Sequence, residues 1–254
     1  MSQPTFSEIN KIAKVVFGGR FKRSRSTDRI LRAICENDIT AIRGPSSSSK
    51  SMLAALYGFC AYAKSPEDTT VAILVDSLTS AKCRIWKNIM DVFCAGMQSG
   101  LIKPVAVDSS RCIIRRNDIL SSFSGVFASP DQTAVIGIKN KNVVLIIDDF
   151  EKGLSAEVVA LNVWANPNVK IIVAGNPEPG CPTAISIFSE PEGGWCNLNK
   201  RAKSWRTQTS VGGAKSIAVY ADMVDFAKKR ANAIRIKHDA NSRVFKKCYI
   251  GRFE

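Results

Sequence analysis

Eight residues near the start of the chain have the types and the spacing of a phosphate-binding loop. They run Gly44-Pro45-Ser46-Ser47-Ser48-Ser49-Lys50-Ser51, after a strand-like stretch (Ile39 to Arg43) and before a helix-like one (Met52 to Tyr57). In such a P-loop, backbone N–H groups surround the phosphates, the lysine reaches the β- and γ-phosphates, and the serine hydroxyl binds Mg²⁺. We therefore predict that residues 44–51 bind ATP, that Lys50 also acts in catalysis, and that Ser51 is a metal ligand.

The loop departs from the usual pattern at one position, because Ser49 stands where a second glycine is expected. A serine there must fit where a Cβ atom is normally absent. The alternative interpretation is a serine-rich loop before an ordinary helix, with Lys50 as a solvated charge.

A second candidate group lies about a hundred residues downstream, where the buried strand-like run Val143 to Ile147 ends in Asp148 and Asp149. A carboxylate at the carboxyl end of a buried strand faces the crevice in which open α/β sheets bind ligands. We predict that Asp148 holds Mg²⁺ as a Walker B aspartate does. Asp149, or less directly Glu151, would act as the base that polarises the attacking water. An acidic turn that closes a core strand is the alternative.

The next buried strand, Ile171 to Val173, leads to Asn176, which precedes a proline. An amide at this place can contact the γ-phosphate or the attacking water and report hydrolysis to the following loop. We predict a coupling role for Asn176, and a simple turn is the alternative.

The elements around these motifs alternate between strand and helix. Strands are predicted at Ile39–Arg43, Thr70–Val75, 143–147 and 169–173, and helices at 5–16, 28–35, 80–93, 156–164 and 217–236. Ser26 or Thr27 is the predicted N-cap of the second helix, and residues 112–115 and 119–123 are predicted to form a hairpin. Alternating strands and helices predict an α/β fold with a parallel, doubly wound sheet.

Composition excludes several classes of protein. The 254 residues are 45% apolar, as in a globular domain, without an apolar run long enough for a membrane span. The eight cysteines are scattered, without a C-x-x-C pair, and His238 is the only histidine, so neither a zinc site nor cysteine–histidine catalysis is expected.

The net charge of +14 is unevenly distributed. Residues 1–43 hold nine lysines and arginines against four acidic residues, residues 44–199 thirteen against fourteen, and residues 200–254 fourteen against four. Basic flanks around a near-neutral centre indicate a polyanionic partner, most plausibly nucleic acid. Lys200 to Arg206 and Lys228 to Arg230 are candidate contacts, and a solubilising surface is the alternative.

Together these residues resemble the ATPase domain of the phage terminase large subunit, the motor that pumps DNA into a procapsid. Three further segments carry the resemblance: Gln132 to Lys139 before the acidic strand, Ala174 to Pro177 as the coupling motif, and Cys248 to Glu254 as the segment leading to the family's nuclease domain. The resemblance implies a P-loop NTPase fold of the RecA-like (ASCE) type, with a mainly parallel β-sheet sandwiched by helices. By position it also implies the same roles for Lys50, Ser51, Asp148, Asp149 and Asn176.

The same resemblance implies the wider setting. ATP and Mg²⁺ would be bound, and the partners would be the phosphate backbone of double-stranded DNA, a portal protein, a small terminase subunit and further copies of the chain in a ring. The expected location is the host cytoplasm, transiently at the procapsid portal. Residues 1–38 would form an N-terminal helical segment, 39–200 the ATPase core, and 201–254 a basic helix and strand leading to a nuclease domain that the chain lacks.

The sequence does not identify the arginine that would stabilise the transition state. Arg43 precedes the loop and is our candidate for a role in cis, with Arg20, Arg25, Arg115 and Arg116 as competitors. Two other functions stay open at this point: a module that binds nucleotide and DNA without hydrolysis, in which Ser49 and Asp149 are signs of decay, and another P-loop DNA motor such as a helicase.

Overall fold

A computed structural model describes residues 3–21, 23–45, 48–116, 124–149, 156–175, 188–193, 207–210 and 212–218. The α-helices of this part are α1 (Phe6–Phe17), α2 (Arg25–Glu36), α3 (Lys50–Lys64), α4 (Leu78–Cys83), α5 (Ile85–Gln98) and α6 (Ala156–Ala165). The strands are β1 (Ile39–Arg43), β2 (Thr69–Leu74), β3 (Ala106–Asp108), β4 (Ile113–Arg115), β5 (Gly125–Ser129), β6 (Asn142–Asp148), β7 (Val169–Gly175), β8 (Thr207–Thr209) and β9 (Lys215–Ala218).

One sheet connects these strands, in the order β3-β4-β5-β2-β6-β7-β1-β9-β8. In this order, the six neighbouring strands β5, β2, β6, β7, β1 and β9 are parallel to one another. The strands β3 and β4 at one edge and β8 at the other pair in antiparallel fashion. The predicted α/β fold with a mainly parallel sheet is confirmed. Because β9 pairs with β1, the sheet also extends beyond residue 200 into the segment 201–254.

Alternation along the strands places an apolar core on each face of the sheet. Ile42, Val71 and Ile146 face a core that α1, α2, α3 and α5 complete, so the N-terminal helices share their core with the loop helix α3. Ala41 and Leu145 face a second core that contains residues of α6. Strands covered on both faces explain the continuous apolar runs in the sequence.

Two helix predictions need correction. The second helix begins at Arg25 rather than Asp28, and its N-cap is Ser24, which forms a capping box with Thr27. The predicted helix 80–93 is two helices, because the backbone leaves the helical conformation at Arg84, with φ −124° and ψ −98°. Neither proline nor glycine lies in this stretch, so no sequence signal marks the break.

The antiparallel part of the sheet also differs from prediction. β4 confirms the first strand of the predicted hairpin, but its described partners are β3 and β5, while residues 117–123 lie outside the described residues. The predicted helix 217–236 is wrong at its start, where Ile217 and Ala218 belong to β9. The rest of it, Lys228 to Arg230 included, lies outside the described residues, as does the segment 200–206.

Within the described ranges, no helix has the length and apolar character needed to cross a lipid bilayer.

Candidate nucleotide site

The predicted site residues lie at the carboxyl edge of the parallel strands. β1 leads directly into the loop at Gly44, and β6 ends at Asp148. β7 pairs with β1 on one side and with β6 on the other, so one strand separates the loop from the acidic pair. The two groups therefore flank a crevice of the kind in which open α/β sheets bind their ligands.

The loop enters α3 through a left-handed residue. Ser49 has φ 67° and ψ 11°, and its side chain makes no capping hydrogen bond to the helix. Glycine adopts this conformation readily and other residues rarely do, which explains why a glycine is usual at this position of the motif. Serine takes the same conformation here. Ser46 and Ser47 lie outside the described residues.

Lys50, the first residue of α3, folds back over the loop. Its Nζ donates hydrogen bonds to the carbonyl oxygens of Gly44 (2.7 Å) and Pro45 (3.1 Å) and lies 3.4 Å from Oγ of Ser48. The residue is only 7% exposed. Burial lowers the pKa of Lys50, while the negative charges of the acidic pair act in the opposite direction. The loop thus holds the side-chain amine of Lys50 against its own carbonyl oxygens.

Ser51 and Asp148 connect the two motifs directly. Oγ of Ser51 donates a hydrogen bond of 2.7 Å to Oδ1 of Asp148, across 97 residues of sequence. Asp148 is 4% exposed, and burial, followed by the charge of Asp149, raises its pKa to about 7. A hydroxyl and a carboxylate that converge in this way are the hard oxygen ligands that Mg²⁺ prefers, so these residues fit the predicted metal.

Asp149 leaves the strand in a left-handed conformation, with φ 46°. Its backbone N–H donates to the carbonyl oxygen of Ala174 on β7 (2.8 Å). Its side chain accepts a hydrogen bond of 3.0 Å from Nη1 of Arg84, and the two form an ion pair. The predicted base therefore lies at the crevice, with an arginine on its carboxylate.

Arg43 is buried, with 2% of its surface exposed. By alternation along β1 its side chain shares the sheet face of Ala41, which is the face of the second core. Ser51 and Asp148 connect α3 to β6 on the other face. Arg43 thus adjoins the loop in sequence but faces the opposite side of the sheet from α3. Its catalytic role stays a prediction.

The other predicted residues are dispersed. Arg25 and Arg115 are exposed and Arg116 is buried, while the side chain of Arg20 is not among those described. Glu151 and Asn176 both lie outside the described residues, so their roles as second candidate base and as coupling amide stay predictions.

Sequence reasoning missed two residues near this crevice. Asp76 follows β2 at the same edge as Asp148, because β2 pairs with β6, and a carboxylate just after a buried strand is the signal that could have found it. Arg84 had no such signal, since it lies in the middle of a pattern with helical periodicity.

Comparison with protein-family profiles gave no match, and no curated protein sequence matched the chain. Solved structures did match. The large terminase ATPase domain of Thermus phage P74-26 covers 99% of this chain in two structures: a mutant (TM-score 0.65, 11% identity, 100% of that chain covered) and a second one (TM-score 0.59, 12% identity, 99% covered).

The large terminase of another thermophilic bacteriophage aligns with 91% of this chain at a TM-score of 0.56 and 10% identity. Only 53% of that terminase is covered, so this chain spans about half its length. At such low identity these matches establish the architecture. The chain has the fold of the ATPase domain of phage large terminases, a P-loop NTPase fold of the RecA-like type, as the resemblance implied.

Proposed function

We propose that this protein is the ATP-hydrolysing motor domain of a terminase large subunit, which moves double-stranded DNA into a procapsid. The observation that carries the proposal is the contact of Ser51 on the loop with Asp148 on the acidic strand, at 2.7 Å and across an inserted strand. Two short motifs that are weak separately form one crevice here. The terminase-like fold supports the same conclusion.

In the proposed reaction, water attacks the γ-phosphate of ATP in line with the leaving group. Lys50 exchanges its contacts with the loop carbonyls for the β- and γ-phosphate oxygens and stabilises their charge. Asp149 orients the attacking water and accepts its proton. Ser51 and Asp148 would hold Mg²⁺, which neutralises charge on the phosphate oxygens when bound.

The partners follow from charge and from the terminase-like fold. A motor must tolerate every sequence, so we propose contacts to DNA phosphates rather than to base edges. On α2, Arg25, Arg29 and Arg32 follow one helix face at the i, i+4 and i+7 positions, and this face is our structural candidate for such contacts. Assembly in a ring on a portal protein, with a small terminase subunit, in the host cytoplasm belongs to the same proposal.

Steady-state ATP hydrolysis by the whole chain tests the proposal, with Lys50→Ala and Asp149→Asn measured beside it. We expect turnover in the parent protein and a loss of at least about a hundredfold in each variant. Lys87→Ala and Asp91→Asn are matched controls, because both residues are exposed on α5, and both should retain full activity.

Equal loss in the controls would indicate damage to the fold rather than to a catalytic site, and the variants would then not support the assignment of Lys50 and Asp149. Mg²⁺-dependent ATP binding without turnover, also when DNA is added, would instead favour a nucleotide-dependent binding module.

A further inference from the structure

The joint between α4 and α5 is a single residue with unusual backbone geometry. Arg84 ends one helix and precedes the other, at φ −124° and ψ −98°, outside the helical region. Ile85 and Trp86 beside it are buried in the core. The stretch contains neither proline nor glycine, so its residue types do not force the break.

The side chain of Arg84 forms an ion pair with Asp149. Nη1 of Arg84 lies 3.0 Å from Oδ2 of Asp149, across 65 residues of sequence. Asp149 itself has a positive φ of 46°, in the left-handed region that residues other than glycine adopt uncommonly. Such conformations cluster at functional sites and persist where the surrounding structure compensates for them.

The pair has a direct chemical consequence. The guanidinium of Arg84 occupies the carboxylate oxygen of Asp149 that would accept a proton from water. Arg84 also acts electrostatically on Lys50 and Asp148, so its charge lies close to the loop lysine and to the acidic pair. A bound triphosphate would bring several negative charges there and compete with Asp149 for the guanidinium.

Exposure allows this exchange. The side chain of Arg84 is 55% exposed and that of Asp149 is 28% exposed, so the arginine can change partners without disturbing the core. Exposed ion pairs are weak, and a partner of higher charge can therefore displace one of their members.

We propose that Arg84 is a nucleotide-responsive positioning residue, an inference that rests on the proposed ATPase function. While the site is empty, Arg84 pairs with Asp149 and keeps this carboxylate from activating water. A triphosphate draws the guanidinium to its γ-phosphate and releases the base. The base is thereby available only when the γ-phosphate is in place.

The test is a double-mutant cycle on nucleotide affinity, with calorimetry on the whole chain in Mg²⁺. The proteins are the parent, Asp149→Asn, Arg84→Gln and the double variant, each titrated with a non-hydrolysable ATP analogue and with ADP. Arg84→Gln should weaken binding of the ATP analogue and change the affinity for ADP by less than about twofold, since ADP lacks the γ-phosphate.

Asp149→Asn should tighten binding of the ATP analogue in the parent background, because it frees Arg84 for the γ-phosphate. This gain in affinity should be about two- to fivefold larger than the gain in the Arg84→Gln background, which corresponds to the free energy of an exposed ion pair. Simple relief of repulsion between Asp149 and the phosphates would instead tighten binding equally in both backgrounds. Arg111→Gln is the matched control, because Arg111 pairs with Asp108 at the surface, and it should change neither affinity.

The outcomes separate this inference from the function on which it rests. If the parent binds neither nucleotide, both fail. If the parent binds ATP and the two backgrounds respond equally, the role of Arg84 is refuted while ATP binding stands. If Arg84→Gln does not fold, Arg84→Lys and the uncharged Arg84→Met are compared instead. Arg84→Lys should retain part of the parent's preference for the ATP analogue over ADP. A preference in Arg84→Lys as low as that in Arg84→Met would overturn the inference.

Discussion

Replacing Ser49 by glycine should stabilise the protein and leave nucleotide binding intact. Ser49 has φ 67° in the left-handed region, where a residue with a Cβ is less stable than glycine by about 1–2 kcal/mol. Glycine also gives the unfolded chain more freedom, which offsets roughly 0.4–1 kcal/mol of that gain. The net stabilisation should be about 0.5–1 kcal/mol.

This free energy corresponds to a small but measurable thermal shift. For 254 residues, an unfolding entropy of roughly 2.1 cal/mol/K per residue gives about 530 cal/mol/K. The midpoint of unfolding should then rise by about 1–2 °C. Ser49→Ala should change stability by less than about 0.5 kcal/mol, because the hydroxyl makes no capping bond and alanine retains the Cβ.

Calorimetry or urea unfolding of both variants measures the effect, with Ser48→Gly as the control. Ser48 does not have a positive φ, so glycine there brings the entropy cost of about 0.5–1 kcal/mol and also removes the hydroxyl beside Lys50. If Ser49→Gly destabilises the protein as much as Ser48→Gly does, then Ser49 does not hold the left-handed conformation in solution, and our explanation of the motif's missing glycine is refuted.

Three further predictions concern packing, charge and DNA. Gly96→Ala would place a Cβ 2.3 Å from the ring of Phe59 and should destabilise the fold by about 1–3 kcal/mol in urea unfolding, whereas Gly19→Ala, with nothing within 4 Å, should not. Burial, followed by the charge of Asp149, raises the pKa of Asp148 to about 7, above its value of about 4 in the unfolded chain. The free energy of unfolding of the nucleotide-free protein should therefore fall as the pH rises from about 4 to 7, and it should stay at the lower value above pH 7. Asp148→Asn should therefore raise the midpoint of unfolding at pH 8 and leave it unchanged at pH 4; an equal shift at both would contradict the argument. Binding of duplex DNA, followed by fluorescence anisotropy, should weaken by orders of magnitude between about 50 and 200 mM salt whatever the sequence, and salt-insensitive binding would refute a phosphate-based contact.

The strand-end residues could be predicted from the sequence because two simple rules cooperate. Continuous apolar runs such as residues 143–147 identify strands that are covered on both faces. Parallel strands then bring their carboxyl ends to one edge, so a polar residue just after such a run belongs to that edge. The contact between Ser51 and Asp148 follows from these rules although 97 residues separate the two.

The antiparallel edge was harder to predict because its strands are short and one begins with glycine. Gly125 has φ 147°, and a Cβ there would lie 2.5 Å from the carbonyl oxygen of Ile114 on β4. Only glycine permits this close approach, yet glycine is depleted in strands and argues against one in a sequence pattern. Gly125 thus permits β5 to pair with β4, but its residue type argues against predicting a strand there.

Arg84 shows the limit of the strand-end rule itself. Its neighbours Ile85, Ile89 and Val92 pack into the core and produce the periodicity of one continuous helix, which hides the break. The break lies at the backbone of Arg84, and its side chain pairs with Asp149, 65 residues away in the sequence. Side chains that reach the crevice from strand ends can be predicted from sequence, because topology positions them. A side chain that reaches the same crevice from a helix joint is positioned by packing between elements, which the sequence pattern does not show. Residues of this kind can regulate the same reaction differently in proteins that share one fold.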